Sequence, residues 1–116
     1  MNAKATLLMT TVDSEDRAKT LATQLLVKRL AACAQEVRIK SHYRWDGELR
    51  NEPEILLLVK TSAEAAPEAM LAIRDIHDYE VPEIVAVPIT EGLPAYLEWL
   101  AREADGAARD ENQSSQ

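Results

Sequence analysis

The 116-residue sequence has few of the residues that build covalent, metal-binding or nucleotide-binding frameworks. Cys33 is the only cysteine, which excludes an intramolecular disulfide and any paired-cysteine metal or redox motif. The three glycines, Gly47, Gly92 and Gly106, are too far apart for a GxGxxG fingerprint or a P-loop. No apolar run approaches the roughly 20 residues of a membrane helix, and no secretory segment is recognisable. The sequence therefore predicts a soluble, cytoplasmic protein without a membrane partner.

The charge balance is acidic, with 13 Lys and Arg against 20 Asp and Glu and a net charge of −7. Because the excess acid is spread along the chain, binding to a nucleic-acid phosphate backbone is not expected. Apolar residues make up 47% of the chain and charged residues 28%, as in ordinary globular proteins. We predict one domain over residues 1–105 and a flexible polar tail over residues 106–116.

Hydrophobic periodicity predicts seven elements along this domain. A strand over 6–12 precedes a helix over 14–31, which Ser14 caps and which carries an apolar face at three- and four-residue steps. Strands over 37–45 and 49–61 flank Asp46-Gly47, a favoured pair for a two-residue hairpin turn, and Pro53 predicts a bulge or a sheet edge. A helix over 62–76, a strand over 84–89 and a last helix starting at Pro94 follow.

This order of elements, β-α-β-β-α-β plus a terminal helix, places the chain in the α+β class. It is typical of the ferredoxin-like split βαβ sandwich, with an antiparallel sheet and both main helices on one face. The fold by itself does not specify a function.

The hairpin carries aromatic residues near its tip, where a single chain offers little core. Tyr43 and Trp45 are therefore expected to anchor a partner subunit, since an isolated two-stranded arm is marginally stable in water. The alternating basic residues form a solvated or subunit-pairing strand face, with an anion-binding surface as the alternative: Arg38, Lys40, His42 and Arg44.

The connector over 77–83 carries the densest set of reactive side chains: His77, Asp78, Tyr79, Glu80 and Glu83. Imidazole and carboxylate groups together can hold copper or zinc. A structural polar turn and an enzyme's acid/base pair formed by Glu80 and Glu83 remain alternative interpretations.

The environment of Cys33 does not indicate a nucleophile. The residue stands among small apolar neighbours after the first helix and is expected to be buried as a small hydrophobic side chain. No motif links it to either histidine, His42 or His77, as a catalytic base. We therefore assign no catalytic residue.

Five strings in order give a resemblance to a known family: residues 29–33 (RLAAC), 43–47 (YRWDG), 60–61 (KT), 77–84 (HDYEVPEI) and 96–99 (YLEW). Together they resemble the CutA family of divalent-cation tolerance proteins, over residues 5–101 and without obvious insertions.

The resemblance implies a non-enzymatic homotrimer of ferredoxin-like subunits whose hairpin strands add to the sheets of neighbouring subunits. It implies no obligatory cofactor, but binding of a divalent metal ion such as copper in clefts between subunits. By position, the metal ligand carried over from the family is His77, and the neighbouring carboxylates Asp78 or Glu80 would bind the ion with it. The residues expected to meet in the cleft or interface are Cys33, Tyr43, Trp45, Tyr79 and Glu83.

The chain departs from the family pattern near these positions. Asp78 replaces the usual proline after His77, Ile76 stands where some members have a second histidine, and Gln35 replaces an asparagine. Thr11-Val12 stands where some members have a cysteine. We therefore expect weak metal binding rather than a tight Cys-His-His site.

Two other functions compete with metal tolerance. One is a trimeric regulator resembling the PII signalling proteins, which would bind a small anionic ligand near Arg38, Lys40 or Arg44. The other is a small hydrolase that would use Glu80, Glu83 or Cys33.

Overall fold

The computed structural model describes residues 4–106. Its elements are β1 Ala5–Val12, α1 Glu15–Val27, β2 Cys33–Trp45, β3 Glu48–Ser62, α2 Ala66–Ile76, β4 Ile84–Ile89 and α3 Pro94–Glu103. The strands form one antiparallel sheet in the order β2-β3-β1-β4. This confirms the predicted ferredoxin-like α+β fold. The predicted tail from residue 107 onwards lies outside the described residues.

Helix α1 begins where predicted but ends four residues earlier, at Val27 rather than residue 31. The Ser14 side chain accepts a hydrogen bond from the Arg17 backbone N–H and caps the first turn. At the other end Arg29 adopts a positive φ of 59°. The Leu30 N–H then donates to the Leu25 carbonyl, which makes a Schellman ending with arginine in the usual glycine position. The apolar periodicity continues to Leu30 because this residue packs in the core after the helix has ended.

The hairpin is longer than the sequence predicted. Its register runs without a shift from the pair Cys33–Lys60 to the pair Trp45–Glu48. The strand thus starts at Cys33 rather than residue 37. Cys33 is half-buried in a strand, so the expectation of a buried cysteine after the helix is wrong for the single chain.

Pro53 marks an edge and not a bulge. It pairs with Lys40 inside the continuous register of β2 and β3. On the other side, the pairing of β1 with β3 stops at Val12 and Ile55, so Pro53 lies in the part of β3 that β1 does not reach. A proline there costs no ladder hydrogen bond. The turn itself has positive φ at both Asp46 and Gly47, as a type I′ turn requires.

Helix α2 also begins later than predicted, at Ala66 rather than residue 62. The Ser62 hydroxyl explains the difference, because it accepts a hydrogen bond from the Ala65 N–H and donates to the Ala104 carbonyl. Ser62 is therefore the last residue of β3, fixed against the end of α3. Strand β4 has the predicted bounds, and Pro94 is the first residue of α3, as expected.

The two faces of the sheet are covered differently. Helices α1 and α2 pack on one face around fully buried side chains, which include Leu8, Leu57, Val59 and Ile73. Helix α3 lies at one end of the other face, where Tyr96 approaches Lys60. The hairpin projects beyond this body, and the radius of gyration is 15.2 Å, against about 13 Å for a compact domain of about 100 residues.

Within residues 4–106, none of the three helices has the length and the apolar character needed to cross a bilayer.

Candidate binding site at the base of the hairpin arm

A cavity of about 660 Å³ opens where the end of β1, the projecting hairpin and the connector over 77–83 meet. We call the part of the hairpin beyond the last β1–β3 pair, residues 39–54, the arm. The cavity is lined by Thr11, Asp13, Ser41, His42, Tyr43, Trp45, Arg50, Glu52, Glu54, Tyr79, Glu80, Val81 and Glu83.

Two tyrosine–glutamate pairs hold one wall of this cavity. Glu52 and Glu54 are two residues apart in β3 and therefore point to the same face of the sheet. The Tyr43 hydroxyl donates to Glu52, and the Tyr79 hydroxyl donates to Glu54 Oε2 at 2.8 Å. The second pair ties the connector to the arm across the end of β1.

Both phenols have a raised pKa. For Tyr79 the largest cause is burial, followed by its hydrogen bond to Glu54; for Tyr43 the hydrogen bond to Glu52 comes first. Both hydroxyls thus keep their protons at neutral pH and act as donors. The glutamates are held as acceptors with lone pairs left for a ligand.

His77 lies behind this wall and uses both ring nitrogens within the chain. Its side chain is 0% exposed. Nε2 lies 2.7 Å from the Thr11 carbonyl oxygen, and the Tyr79 backbone N–H donates to Nδ1 at 3.2 Å. This pattern fits the neutral tautomer with its proton on Nε2. The ring also packs against the Tyr79 ring with centroids 4.6 Å apart.

The acidic residues of the connector lie nearer to the surface. Asp78 forms an ion pair with Arg17 of α1 at 3.1 Å, and its other oxygen lies 3.8 Å from His77 Nδ1. Glu80 and Glu83 are exposed and line the cavity. The connector is thus fastened to β1, α1 and β3 while it presents carboxylates to the opening.

The structure brings some of the predicted site residues together in one chain. Tyr43, Trp45, Tyr79, Glu80 and Glu83 all line the cavity.

The remaining three lie elsewhere. His77 and Asp78 stand beside the cavity rather than among its lining residues. Cys33 is at the opposite end of β2, twelve residues from Trp45, which corresponds to about 40 Å of extended strand. A single chain therefore does not bring Cys33 to this cavity.

Sequence reasoning missed the acidic wall formed by Glu52 and Glu54. The signal was present, because the return strand carries charged residues at every second position before its apolar run: Glu48, Arg50, Glu52 and Glu54. Within residues 4–106, no group of three or more His, Cys, Asp or Glu side chains is arranged to hold a metal ion.

Comparison with known proteins identifies the family. Residues 6–103 match the family model described as CutA1 divalent ion tolerance protein. This chain belongs to that family. It is 48% identical over 94 residues to the divalent-cation tolerance protein CutA of Thermus thermophilus, a match that spans 80% of this chain and 91% of that protein.

A solved structure and a vertebrate relative support the same assignment. The structure of the divalent cation tolerance protein from Thermus thermophilus superposes with a TM-score of 0.82 at 45% identity, covering 85% of this chain and 97% of that one. Mouse protein CutA is 37% identical over 91 residues, or 78% of this chain. Only 51% of the mouse protein is spanned, so the chain corresponds to about half of that relative.

Proposed function

We propose that this CutA-family chain is a non-enzymatic subunit of a cytoplasmic homotrimer that acts in divalent-cation tolerance. In the proposed assembly, divalent metal ions such as copper bind weakly in the clefts between subunits. The observation that carries the proposal is the uncovered apolar face of the sheet.

This open face has the composition of an interface. Val37, Val85 and Val87 are each 41–42% exposed there, beside half-buried Leu56 and Leu58. An antiparallel sheet with one solvated face normally carries polar residues on that face. A contiguous apolar surface on a soluble protein marks a contact with another molecule. A second copy of the chain satisfies this requirement, and the family resemblance indicates three copies.

The arm supports the same conclusion. In the described part of the chain, no third strand flanks the arm beyond the Val12–Ile55 pair. Its tip carries Trp45 and Leu49, and Leu49 is 79% exposed. Two strands alone are marginally stable in water, so packing against a neighbouring subunit would stabilise the arm.

The metal-binding part of the proposal rests on the family's association with divalent-cation tolerance and on the connector carboxylates. We assign Asp78 and Glu80 as ligands. His77 Nδ1 would also bind the metal ion, once its hydrogen bond from the Tyr79 backbone N–H is broken. Ligands from a neighbouring subunit would complete the coordination. Because His77 must give up a hydrogen bond to take part, binding should be weak.

A regulator that binds a small anion is less well supported. Five carboxylates line the cavity against a single guanidinium among the described lining residues, that of Arg50. Arg38, one of the basic residues of the alternating strip, forms an ion pair with Glu15. The electrostatic potential at this site therefore opposes an anionic ligand.

Light scattering and copper calorimetry test the proposal together. The expected mass is about three times the 12.9 kDa of one chain. Cu²⁺ should give saturable heat that Glu80→Gln reduces, whereas Glu68→Gln, an exposed position on α2, should leave it unchanged. A mass near that of one chain contradicts the assembly, and equal Cu²⁺ heats in both variants contradict the assigned ligand.

The role of His77 needs its own comparison, because the buried ring also supports the connector. His77→Ala and Tyr79→Phe both disturb this region, but Tyr79→Phe retains the imidazole. A loss of copper heat in His77→Ala, with heat retained in Tyr79→Phe, indicates ligation. Equal losses indicate that the connector's conformation matters and that His77 is not a ligand.

A further inference from the structure

We infer that the cavity at the base of the arm binds an organic cation, an ammonium or guanidinium group carried on an apolar body. The inference deepens the proposed function and rests on it in part, because it names a ligand class for the same cleft. The walls it uses, however, belong to one chain.

The first argument is the aromatic content of the walls. The chain has only five aromatic residues, counting Tyr and Trp and no Phe, and three of them, Tyr43, Trp45 and Tyr79, line this cavity. Val81 adds an aliphatic surface. Aromatic faces attract cations through their quadrupoles and also accept the apolar body of a ligand. A bare metal ion would make no use of such walls.

The second argument is the sign of the charge. Carboxylates line the cavity from three parts of the chain: Asp13 after β1, Glu52 and Glu54 in β3, and Glu80 and Glu83 in the connector. Arg50 is the opposing guanidinium, and its Nη2 lies 3.5 Å from Glu48 Oε1, which offsets its charge. A positive ligand is favoured, and low ionic strength should strengthen its binding.

The third argument separates an organic cation from a metal ion. Metal ligation needs several donors that converge within about 2 to 2.6 Å of one point. Within residues 4–106 of one chain, no three acidic, histidine or cysteine side chains converge in this way, so the proposed metal site needs ligands from a second subunit, whereas an organic cation does not. The carboxylates are distributed around a cavity of about 660 Å³, which suits a ligand several ångströms long with separated charges. Glu52 and Glu54 already accept phenol hydroxyls and keep lone pairs for ammonium groups.

The fourth argument is that one wall is fixed before any ligand arrives. Three contacts fix Tyr79: its hydroxyl donates a hydrogen bond to Glu54, its backbone N–H donates to His77 Nδ1, and its ring packs against the His77 ring. His77 is in turn anchored to the Thr11 carbonyl. A wall that needs no ordering on binding loses less entropy when the ligand enters. His77 is thus a positioning residue for this cavity.

The test uses two ligands of matched length, 1,6-diaminohexane and 1,6-hexanediol, titrated into the full chain by calorimetry at low salt. We expect saturable binding of the diamine and none of the diol. Glu54→Gln should weaken diamine binding about tenfold, since it removes a charge-assisted contact yet leaves an amide oxygen for the Tyr79 hydroxyl. Glu68→Gln, which removes an exposed charge outside the cavity, should leave the affinity unchanged.

Tyr43→Leu supplies a second variant that keeps every carboxylate. This change should lower the affinity for the diamine several-fold, because the aromatic face of Tyr43 is lost. Equal binding of diamine and diol, equal weakening by Glu54→Gln and Glu68→Gln, or no diamine binding at all would overturn the inference.

The same samples separate this inference from the proposed function. A trimer that binds Cu²⁺ but no diamine contradicts the organic-cation site alone. A protein that binds the diamine but neither assembles nor binds Cu²⁺ contradicts the proposed function and supports the organic-cation site.

Discussion

The two faces of the sheet have similar apolar residues but different surroundings. On the helix-covered face, Leu8, Leu57 and Val59 are completely buried by α1 and α2. On the open face, Val85 and Val87 remain about two-fifths exposed. The helices of the same chain cover the first face, whereas the second keeps apolar side chains accessible. An antiparallel sheet with apolar residues on both faces is what the proposed assembly requires, because an exposed face normally carries polar residues.

The strongest test of this comparison places charge on the open face. The double change Val85→Asp and Val87→Asp should abolish assembly, because each further copy would bring two more carboxylates into a desolvated contact. Light scattering should then give a mass near 12.9 kDa at concentrations where the wild type is larger.

A neighbouring position provides the control for this double change. Ala86→Asp lies between the two positions, on the opposite face of β4, and is also exposed. It should leave the mass unchanged. If the double variant keeps the wild-type mass, the open face is not the subunit contact.

The helix-covered face should respond as an ordinary core. Leu57→Ala removes a completely buried side chain and should lower the free energy of unfolding by about 2 to 5 kcal/mol. Urea denaturation followed by far-UV circular dichroism measures the change. Leu71→Ala, half-exposed on α2, should change it by less than about 0.5 kcal/mol. Similar losses for both would mean that the core is not concentrated under the helices.

The junction between body and arm depends on Tyr79. Unfolded tyrosine ionises near pH 10, whereas burial and Glu54 raise the pKa of Tyr79 in the folded chain. The folded state thus keeps a proton that the unfolded state loses, so this contribution to stability is complete below pH 10 and declines as the pH rises further.

Tyr79→Phe tests this linkage. The substitution should lower the free energy of unfolding by about 1 kcal/mol at neutral pH, because a hydrogen bond is lost. It should also make the fall of that free energy above pH 10 shallower. Urea midpoints between pH 8 and 11.5 measure both effects. Tyr96→Phe, on α3, is the control and should retain the wild-type slope. An unchanged slope in Tyr79→Phe would contradict the assigned hydrogen bond.

Most of the fold could be predicted from periodicity, because the spacing of apolar residues within a segment indicates both its type and the face that it buries. The errors fall at element ends, where tertiary contacts decide. Leu30 continues the apolar pattern of α1 but packs after a Schellman turn, and Ser62 ends β3 by bonding to the end of α3. Neither contact has a signal within the segment itself.

The site was less predictable, because it depends on which strand faces meet. The connector's chemistry predicts His77 as a metal ligand, and this stays a prediction. Its burial and two hydrogen bonds add a role in supporting Tyr79 that the sequence did not indicate. Glu52 and Glu54 were overlooked because single charged residues on a strand resemble a solvated face. Their importance comes from their pairing with Tyr43 and Tyr79, which only the register reveals.

The smallest effect is expected where the helix-covered side of the hairpin reaches α1. Arg38 contacts Glu15 there, but their side chains are 81% and 58% exposed. Because solvent screens these charges, the ion pair should contribute about 0.5 kcal/mol or less to the free energy of unfolding. Because Glu15 also lies in the first turn of α1, a double-mutant cycle of Arg38→Gln and Glu15→Gln in urea denaturation isolates the pair. A coupling above about 1 kcal/mol would show that α1 holds the hairpin more firmly than this exposed contact implies.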